Sequence, residues 1–494
     1  MDEARRTALL AALRQALGAD ALRTGEAIGE RHLSDWSGAP PVRPLALLRP
    51  ASSAEVAAAL AIAAEHRVPV VPQGGLTGLA GAAVPLPGSL ALSLERMNAI
   101  EPVDAAAATL TAQAGATLAA VQDAAAARGL MFGVDFGARD SCQIGGALAT
   151  NAGGNGVLQF GMMREQVLGL EVVLPGGTVL PMLRPMLKNN TGYDLKQLFI
   201  GAEGTLGVIT RAVLRLRPAP RARVAALVAL PNFDAALALL ALLQASLPGA
   251  LAAFELMWAD FVDASLRWQQ LRPPFAEPHP LLALVEVAGG DAAALQEALE
   301  AALAGAMQAG HARDAVIAQT QQQARALWKL REATAELPTQ MRPPINFDVS
   351  LPMAQIGRFA EQCRAALAAR WPGHHTVFFG HVGDSNLHLS TDGASVGGQL
   401  AEVESVVYDM VAAYGGSVSA EHGIGSHKKA VLHLSRTPEE LAAMQAIKQV
   451  LDPLNLMNPG RIFDPPEVLT HLPPGGNASG RGDPGHGVPP RAVA

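Results

Sequence analysis

Apolar and polar positions divide the chain into stretches of different texture. Residues 1–40 read as an amphipathic helix followed by a lead-in loop. From Pro41 short strands and helices alternate. Ser53 stands as the N-cap of a helix running to about Glu65, and Val68–Val71 reads as a short buried strand. Leu90–Leu94 and Thr109–Ala114 read as further strands, and Thr117–Arg128 as a helix. Leu168–Val173 and Thr178–Leu180 form a hairpin around Pro175-Gly176-Gly177, and Val208–Leu216 is a strand. After Pro218 long Ala/Leu helices dominate, with strands such as Val224–Leu230 and Leu281–Val287. Residues 331–464 return to short strands carrying polar motifs. From Pro465 the chain is rich in Pro and Gly and poor in apolar residues, which predicts a disordered tail. The Arg481-Gly482-Asp483 triplet and the Asn477-Ala478-Ser479 sequon fall in that tail and read as chance.

Composition narrows the classes. A chain of 494 residues is too long for one ordinary core, and 50% apolar content is enough to fill two. A net charge of −7 without any Lys/Arg block argues against nucleic acid or an acidic membrane as partner. Two cysteines, Cys142 and Cys363, exclude a disulfide framework and a Cys-rich metal site. The N-terminus starts acidic rather than as a signal peptide. No apolar run reaches the ~18–20 residues of a membrane span. The expectation is a cytoplasmic protein without a transmembrane segment.

Three glycine-rich segments carry the first candidate chemistry. Pro72-Gln73-Gly74-Gly75-Leu76-Thr77-Gly78-Leu79 directly follows a strand, and its glycines let backbone N–H groups turn toward one point. Such a nest suits a pyrophosphate, although alone it is equally a tight turn. Its spacing is not that of a nicotinamide-binding Gly-x-Gly-x-x-Gly. A second segment, from Ser141 through Ile144, Gly145, Gly146, Thr150 and Asn151 to Gly153 and Gly154, adds side-chain donors to close-approach glycines. A third runs from Gly201 through Glu203 and Gly204 to Val208 and Ile209. Three such clusters on one scaffold suggest a single long ligand lying across several loops.

In the second half, Gly380-His381-Val382-Gly383-Asp384-Ser385-Asn386-Leu387-His388 reads as strand, turn, strand, with the turn folding His381 and His388 toward each other. A His pair alone is more often structural than a metal half-site. Glu421-His422, between small residues, supplies a carboxylate and another imidazole. Two His and one Glu make a three-ligand site with room for substrate.

These segments, with Lys188-Asn189-Asn190-Thr191-Gly192-Tyr193-Asp194-Leu195, resemble the vanillyl-alcohol oxidase superfamily. Within it they are most similar to the D-2-hydroxyglutarate and D-lactate dehydrogenase branch, over most of residues 40–464. The resemblance implies an α+β chain: a two-subdomain FAD-binding domain of the vanillyl-alcohol oxidase type, followed by an α+β substrate (cap) domain. The division it suggests is a lead-in over 1–40, the FAD-binding domain over 41–219, the cap with the metal site over 220–430, a segment returning to the flavin over 431–464, and the tail over 465–494.

It further implies noncovalent FAD on the three glycine segments, Cys142 being the nearby nucleophile. It implies a divalent metal, zinc, on His381, His388 and Glu421, with His422 as catalytic base. Trp328-Lys329-Leu330-Arg331-Glu332 resembles the helix that presents an Arg to the substrate carboxylate. The alternative for Arg331 is an exposed helical residue paired with Glu332. Asn458-Pro459-Gly460-Arg461 matches a closing motif near the flavin ring. The function implied is oxidation of a small D-2-hydroxy acid, with electrons passed to an unidentified acceptor: a quinone, a cytochrome or an electron-transfer flavoprotein. A glycolate-oxidase-type subunit that needs partner chains, and a flavin-binding protein without activity, are the rivals. A homodimer is compatible with the resemblance.

The chain departs from that branch at three substrate positions. Asn346 stands where the hydroxyglutarate enzymes carry a Lys, Ala335 replaces a Thr, and Ser390 replaces an Asn. A dicarboxylate thereby loses one cationic and two polar partners unless Arg342 or Lys329 compensates. A monocarboxylate such as D-lactate becomes comparably well supported.

Overall fold

Three β-sheets organise the chain in a computed structural model that describes residues 2–464. The expected tail, with its triplet and sequon, lies outside the described residues. The first sheet holds β1 (Leu22–Arg23), β2 (Ala46–Leu48), β3 (Val70–Gln73) and β4 (Leu90–Ser93) in the order β1-β2-β4-β3. β2 and β3 run parallel to β4, and all three are almost wholly buried, as parallel strands with both faces covered must be. The helix Ser53–Glu65 is capped by Ser52 rather than Ser53. Ser52 has the extended backbone of a cap and its hydroxyl accepts from the Glu55 N–H at 3.2 Å. Ser53 is already helical, and its hydroxyl reaches Glu171 in the neighbouring sheet. β3 starts two residues later than the sequence suggested, so its end at Gln73 delivers the first glycine segment.

The second sheet contains β5 (Thr109–Gln113), β6 (Leu130–Phe132), β7 (Val167–Val173), β8 (Val179–Met182) and β9 (Val208–Pro218). β9 pairs with β5, β6 and β7, and all pairings are antiparallel. The first two sheets share one apolar core, in which Leu48, Leu92, Val172 and Leu214 are buried together.

The third sheet is antiparallel and seven-stranded. It contains β10 (Ala222–Leu230), β11 (Leu251–Trp258), β12 (Leu281–Gly289), β13 (Asp314–Ile317), β14 (Pro344–Ser350), β15 (Thr376–Gly380) and β16 (Asn386–Asp392), in the order β13-β10-β12-β11-β15-β16-β14. Its central strands read as nearly continuous apolar runs, interrupted by Glu255 and Glu286, because both faces are covered. Val224, Ala226, Val228 and Leu230 pack with the helices Phe233–Ser246 and Ala292–Gln308, whereas Leu227 and Ala229 pack with Phe261 and Leu330 on the opposite face. That second face changes character toward β14. There Phe379, His388 and Asp348 form one cross-strand row, and Ser390 and Asn346 form the next.

The chain end returns to the first sheet. The helix Pro438–Leu451 begins with a capping box between Thr437 and Glu440 and closes on Lys448. The buried Lys448 ammonium donates to the carbonyls of Thr205 at 2.7 Å and Met457 at 2.8 Å, and it pairs with the buried Asp452 carboxylate. Met457 bridges to Val70 in parallel register beside β3. Lys448 therefore ties the third glycine segment to the C-terminal strand-like segment through one buried charge. Replacing it with Met leaves the buried Asp452 carboxylate without its cation, held only by the Leu456 and Met457 N–H groups, so Lys448→Met is expected to lower unfolding stability by about 3–5 kcal/mol in urea titration. The double variant Lys448→Met/Asp452→Leu should recover part of that loss.

Candidate active site

The three glycine segments converge on one cleft of about 330 Å³. Pro72 to Leu79 line it, with Gly145, Gly146, Thr150, Gly153, Gly154, Glu203, Gly204, Val208, Ile209 and Asn458. Ser141, Ile144 and Asn151 lie off it. Ile144 is fully buried with its N–H on the Ala116 carbonyl, and Asn151 uses its side-chain oxygen to accept from the Arg164 N–H at 2.9 Å. Ser141 is exposed, and its carbonyl oxygen would lie 2.0 Å from a Cβ on Gly75. Glycine at 75 thus answers the packing of one loop on another as well as the cleft. A Cβ on Gly74 would likewise sit 3.3 Å from the Gly146 backbone. Gln73 anchors the first loop from behind: its oxygen meets His32 Nδ1 at 2.9 Å, and its amide donates to the His32 and Ala83 carbonyls.

The cleft fits an extended anionic cofactor such as FAD. Among the described residues, no backbone N–H from Gly75 to Leu79 has an acceptor within the protein, and these groups border the cleft. The Asn458 carboxamide oxygen is buried and unpartnered there, while its nitrogen donates to the Glu203 and Ala82 carbonyls. Trp36 and Phe136 also line the cleft.

The polar face of β14–β16 supplies the second part of the site. The turn between β15 and β16 brings the His381 and His388 rings to a centroid separation of 5.4 Å. One nitrogen from each, with a Glu421 carboxylate oxygen, lie within 4.8 Å of one another. His381 Nδ1 meets Glu255 Oε1 at 2.6 Å, which leaves Nε2, 3.4 Å from Arg331 Nη2, as the nitrogen a metal could take. His388 turns Nδ1 toward Asp348, 3.9 Å away, and Nε2 toward Glu421, 4.0 Å away. Each imidazole thus has a carboxylate behind one nitrogen and the shared pocket in front of the other, which fits a divalent cation.

The pocket's electrostatics are opposed and local. Burial disfavours charge on His381, but Glu255 outweighs it and pushes the imidazole up to about 9. Burial, with the neighbouring cations, holds His388 well below the ordinary histidine range, so it is neutral and ligand-ready. Burial raises Asp384 to about 7, with the Glu421 and Glu255 charges acting in the same direction. Burial also works against the charge of Asp348, yet His422, Lys428 and His388 hold that carboxyl far below the usual carboxylate range.

Asp348 is 0% exposed, and its Oδ2 accepts from the backbone N–H groups of Glu421 at 2.9 Å and His422 at 2.8 Å. His422 Nδ1 lies 3.7 Å from the same oxygen, and its ring lines the glycine cleft. Glu421 joins the two halves directly, since its Oε1 accepts from the Gly154 N–H at 3.2 Å.

Arg331 is buried rather than exposed, and its partner is Glu255, not Glu332. Its Nε donates to Glu255 Oε2 at 2.8 Å, and its guanidinium carbon sits 4.9 Å from the Phe379 ring centroid. Asn346 and Ser390 face each other one row from His388, with Ser390 Oγ donating to Asn346 Oδ1 at 2.6 Å. Arg342 is exposed and donates to the Thr339 carbonyl, which gives it no compensating role in the row.

Sequence reasoning missed Glu255, Asp348, Asp384 and Lys428. Glu255 had a visible signal as the single charge inside the apolar strand Leu251–Trp258, and Asp348 had the same signal between Phe347 and Val349. Lys428 had none, because its three neighbours Asp348, Glu203 and Glu404 are far away in sequence.

Residues 44–182 match the FAD binding domain family, and residues 219–462 match the C-terminal domain of FAD linked oxidases. The chain is 41% identical over 472 residues to a D-2-hydroxyglutarate dehydrogenase of Xanthomonas citri, covering 94% of this chain and 98% of that protein. It is 39% identical over 418 residues to the mitochondrial D-2-hydroxyglutarate dehydrogenase of Bos taurus, covering 84% and 76%. The solved structure of p-cresol methylhydroxylase with substrate bound superposes with a TM-score of 0.74 at 16% identity, covering 94% of this chain and 98% of that one. That likeness concerns the fold. An added methyl at position 75 has no room against the second loop, so Gly75→Ala is expected to lower flavin occupancy, read as visible flavin absorbance per chain.

Proposed function

The chain belongs to the family of FAD-linked oxidases that contains these D-2-hydroxyglutarate dehydrogenases and is an FAD-dependent D-2-hydroxy-acid dehydrogenase, and from that premise we propose that its metal-assisted site uses His422 as the base. The observation that carries this reading is the position of His422. Its ring borders the cofactor cleft on one side, and Asp348 lies behind it.

Residues of the three glycine segments, Glu203 apart, and Asn458 would hold FAD, and His381, His388 and Glu421 would hold a divalent metal, proposed to be zinc. Bound FAD supplies a hydride acceptor at its N5, and a bound divalent metal supplies a Lewis acid for the substrate hydroxyl. The protein's own part is positioning and proton transfer. Asp348 faces Nδ1 of His422, which leaves Nε2 to take the hydroxyl proton. Arg331, oriented by Glu255 and by the Phe379 ring, offers its remaining N–H groups to the substrate carboxylate. The product is the 2-oxo acid.

Asn346 and Ser390 satisfy each other and bring no cation to the row beyond His388, which supports a monocarboxylate such as D-lactate beside 2-hydroxyglutarate as substrate. Burial pushes the Cys142 thiol up to about 11, so at neutral pH it is protonated and a poor nucleophile, which supports noncovalent FAD. Among the described residues no helix is long and apolar enough to cross a membrane. The acceptor is proposed to be a quinone, a cytochrome or an electron-transfer flavoprotein. The division at residues 41–219, 220–430 and 431–464 is retained as part of this proposal.

Anaerobic mixing with a panel of D-2-hydroxy acids should bleach the bound flavin, and failure with every member would remove the reading. His422→Ala is expected to slow that bleaching by roughly 10²–10⁴-fold, and full speed in that variant would remove the base assignment. Metal analysis of the purified protein should find a divalent ion stoichiometric with the chain, and dialysis against a chelator should slow turnover with the flavin still bound.

A further inference from the structure

The segment carrying Glu421 and His422 is held by buried carboxylates from opposite sides. Asp348, on the third sheet, accepts from the N–H groups of residues 421 and 422. Glu203, on the third glycine segment, accepts from the amides of residues 424 and 425: its Oε1 takes the Ile424 N–H at 2.7 Å and its Oε2 takes the Gly425 N–H at 2.7 Å. Both Glu203 oxygens therefore face the base-bearing segment, although the residue also lines the cofactor cleft.

The arrangement leaves little play. Glu203 is 6% exposed and holds a left-handed backbone at φ +52°, unusual for a residue with a side chain. Its N–H donates to the Ala149 carbonyl in the second glycine segment, and its carbonyl accepts from Asn458 at 2.7 Å. On the other partner, Gly423 and Gly425 have φ of +80° and +53°. A Cβ on Gly423 would lie 2.8 Å from Glu203 Oε1, and one on Gly425 would lie 1.9 Å from the Ala80 carbonyl oxygen in the first glycine loop. Arg461 and Lys428 provide the positive charge around the carboxylate.

We propose that Glu203 is a positioning residue that sets the place of His422 and Glu421 relative to the cofactor cleft, rather than a ligand of the cofactor. This rests on the reading of His422 given above. A fixed backbone in the cleft wall holds a fixed carboxylate, which fixes two amides, and the base lies two residues before the first of them. Glu203 thereby links the cofactor loops to the base, alongside the Glu421–Gly154 contact and the Asp348 carboxylate.

Glu203→Gln keeps the shape but places an amide N–H against a backbone N–H. The expected result is a fall in kcat of about 10–100-fold, with KM changed by less than about threefold. Flavin absorbance per chain and metal content should stay at the wild-type level. Independently of turnover, hydrogen–deuterium exchange should speed up at residues 421–425 and remain slow on β3 and β9. Glu203→Asp keeps the charge but not the reach and should show the same pattern, which decides the matter if the Gln variant does not fold. Loss of flavin with an unchanged exchange pattern would overturn the proposal in favour of direct cofactor binding, and wild-type kcat in both variants would overturn it as well. If wild-type protein oxidised no D-2-hydroxy acid, the functional reading would fall, while the exchange comparison would still decide whether Glu203 holds the segment.

Discussion

A single buried carboxylate, Asp348, is the constraint on which the site is built. An ion with no solvent exposure is costly unless surrounding groups supply donors and opposite charge. The chain meets that demand from several places at once. Two consecutive backbone amides bind one oxygen, the Lys428 ammonium approaches within 3.9 Å of it, and the imidazoles of His422 and His388 turn toward the carboxylate. Satisfying that charge fixes where the glutamate and histidine of the next motif stand, so an electrostatic requirement becomes a geometric one.

Around this centre the architecture divides the work. The first two sheets share a core and expose glycine loops along one cleft. The third sheet buries one face under four helices and gives part of the other face to the polar row. Glu421 and His422 lie on neither sheet but on a loop held between them, with Gly154 on one side and Asp348 on the other. Chemistry at the junction of rigid elements is a common solution, because a loop alone would not hold its side chains to the required tolerance.

Much of this was legible in the sequence. The glycine segments could be read because close backbone approach leaves a compositional trace, and the His-turn-His pairing because a short turn between strands forces proximity. Two strands of the third sheet, Val224–Leu230 and Leu281–Val287, could be read from their apolar runs, whereas the helix cap was misplaced by one residue, at Ser53 instead of Ser52, since two adjacent serines are equivalent until the backbone is known. Three members of the glycine motifs, Ser141, Ile144 and Asn151, make loop contacts outside the lining of the cleft, a placement that residue type does not encode. The partners of Arg331 and Asp348 come from distant strands and loops, and only the sheet order brings them together.

The bridge between Met457 and Val70 has a consequence for biosynthesis. The strand that delivers the first cofactor loop is made nearly four hundred residues before its neighbour in the finished sheet, since Val70 bridges to Met457. Asn458, which closes the cleft over Ala82 and Glu203, belongs to the same late segment. The first two sheets can therefore collapse during translation, but the cofactor chamber acquires this wall only after residues 457 and 458 have been made. A chain truncated before Lys448 would keep its glycine loops without a finished chamber.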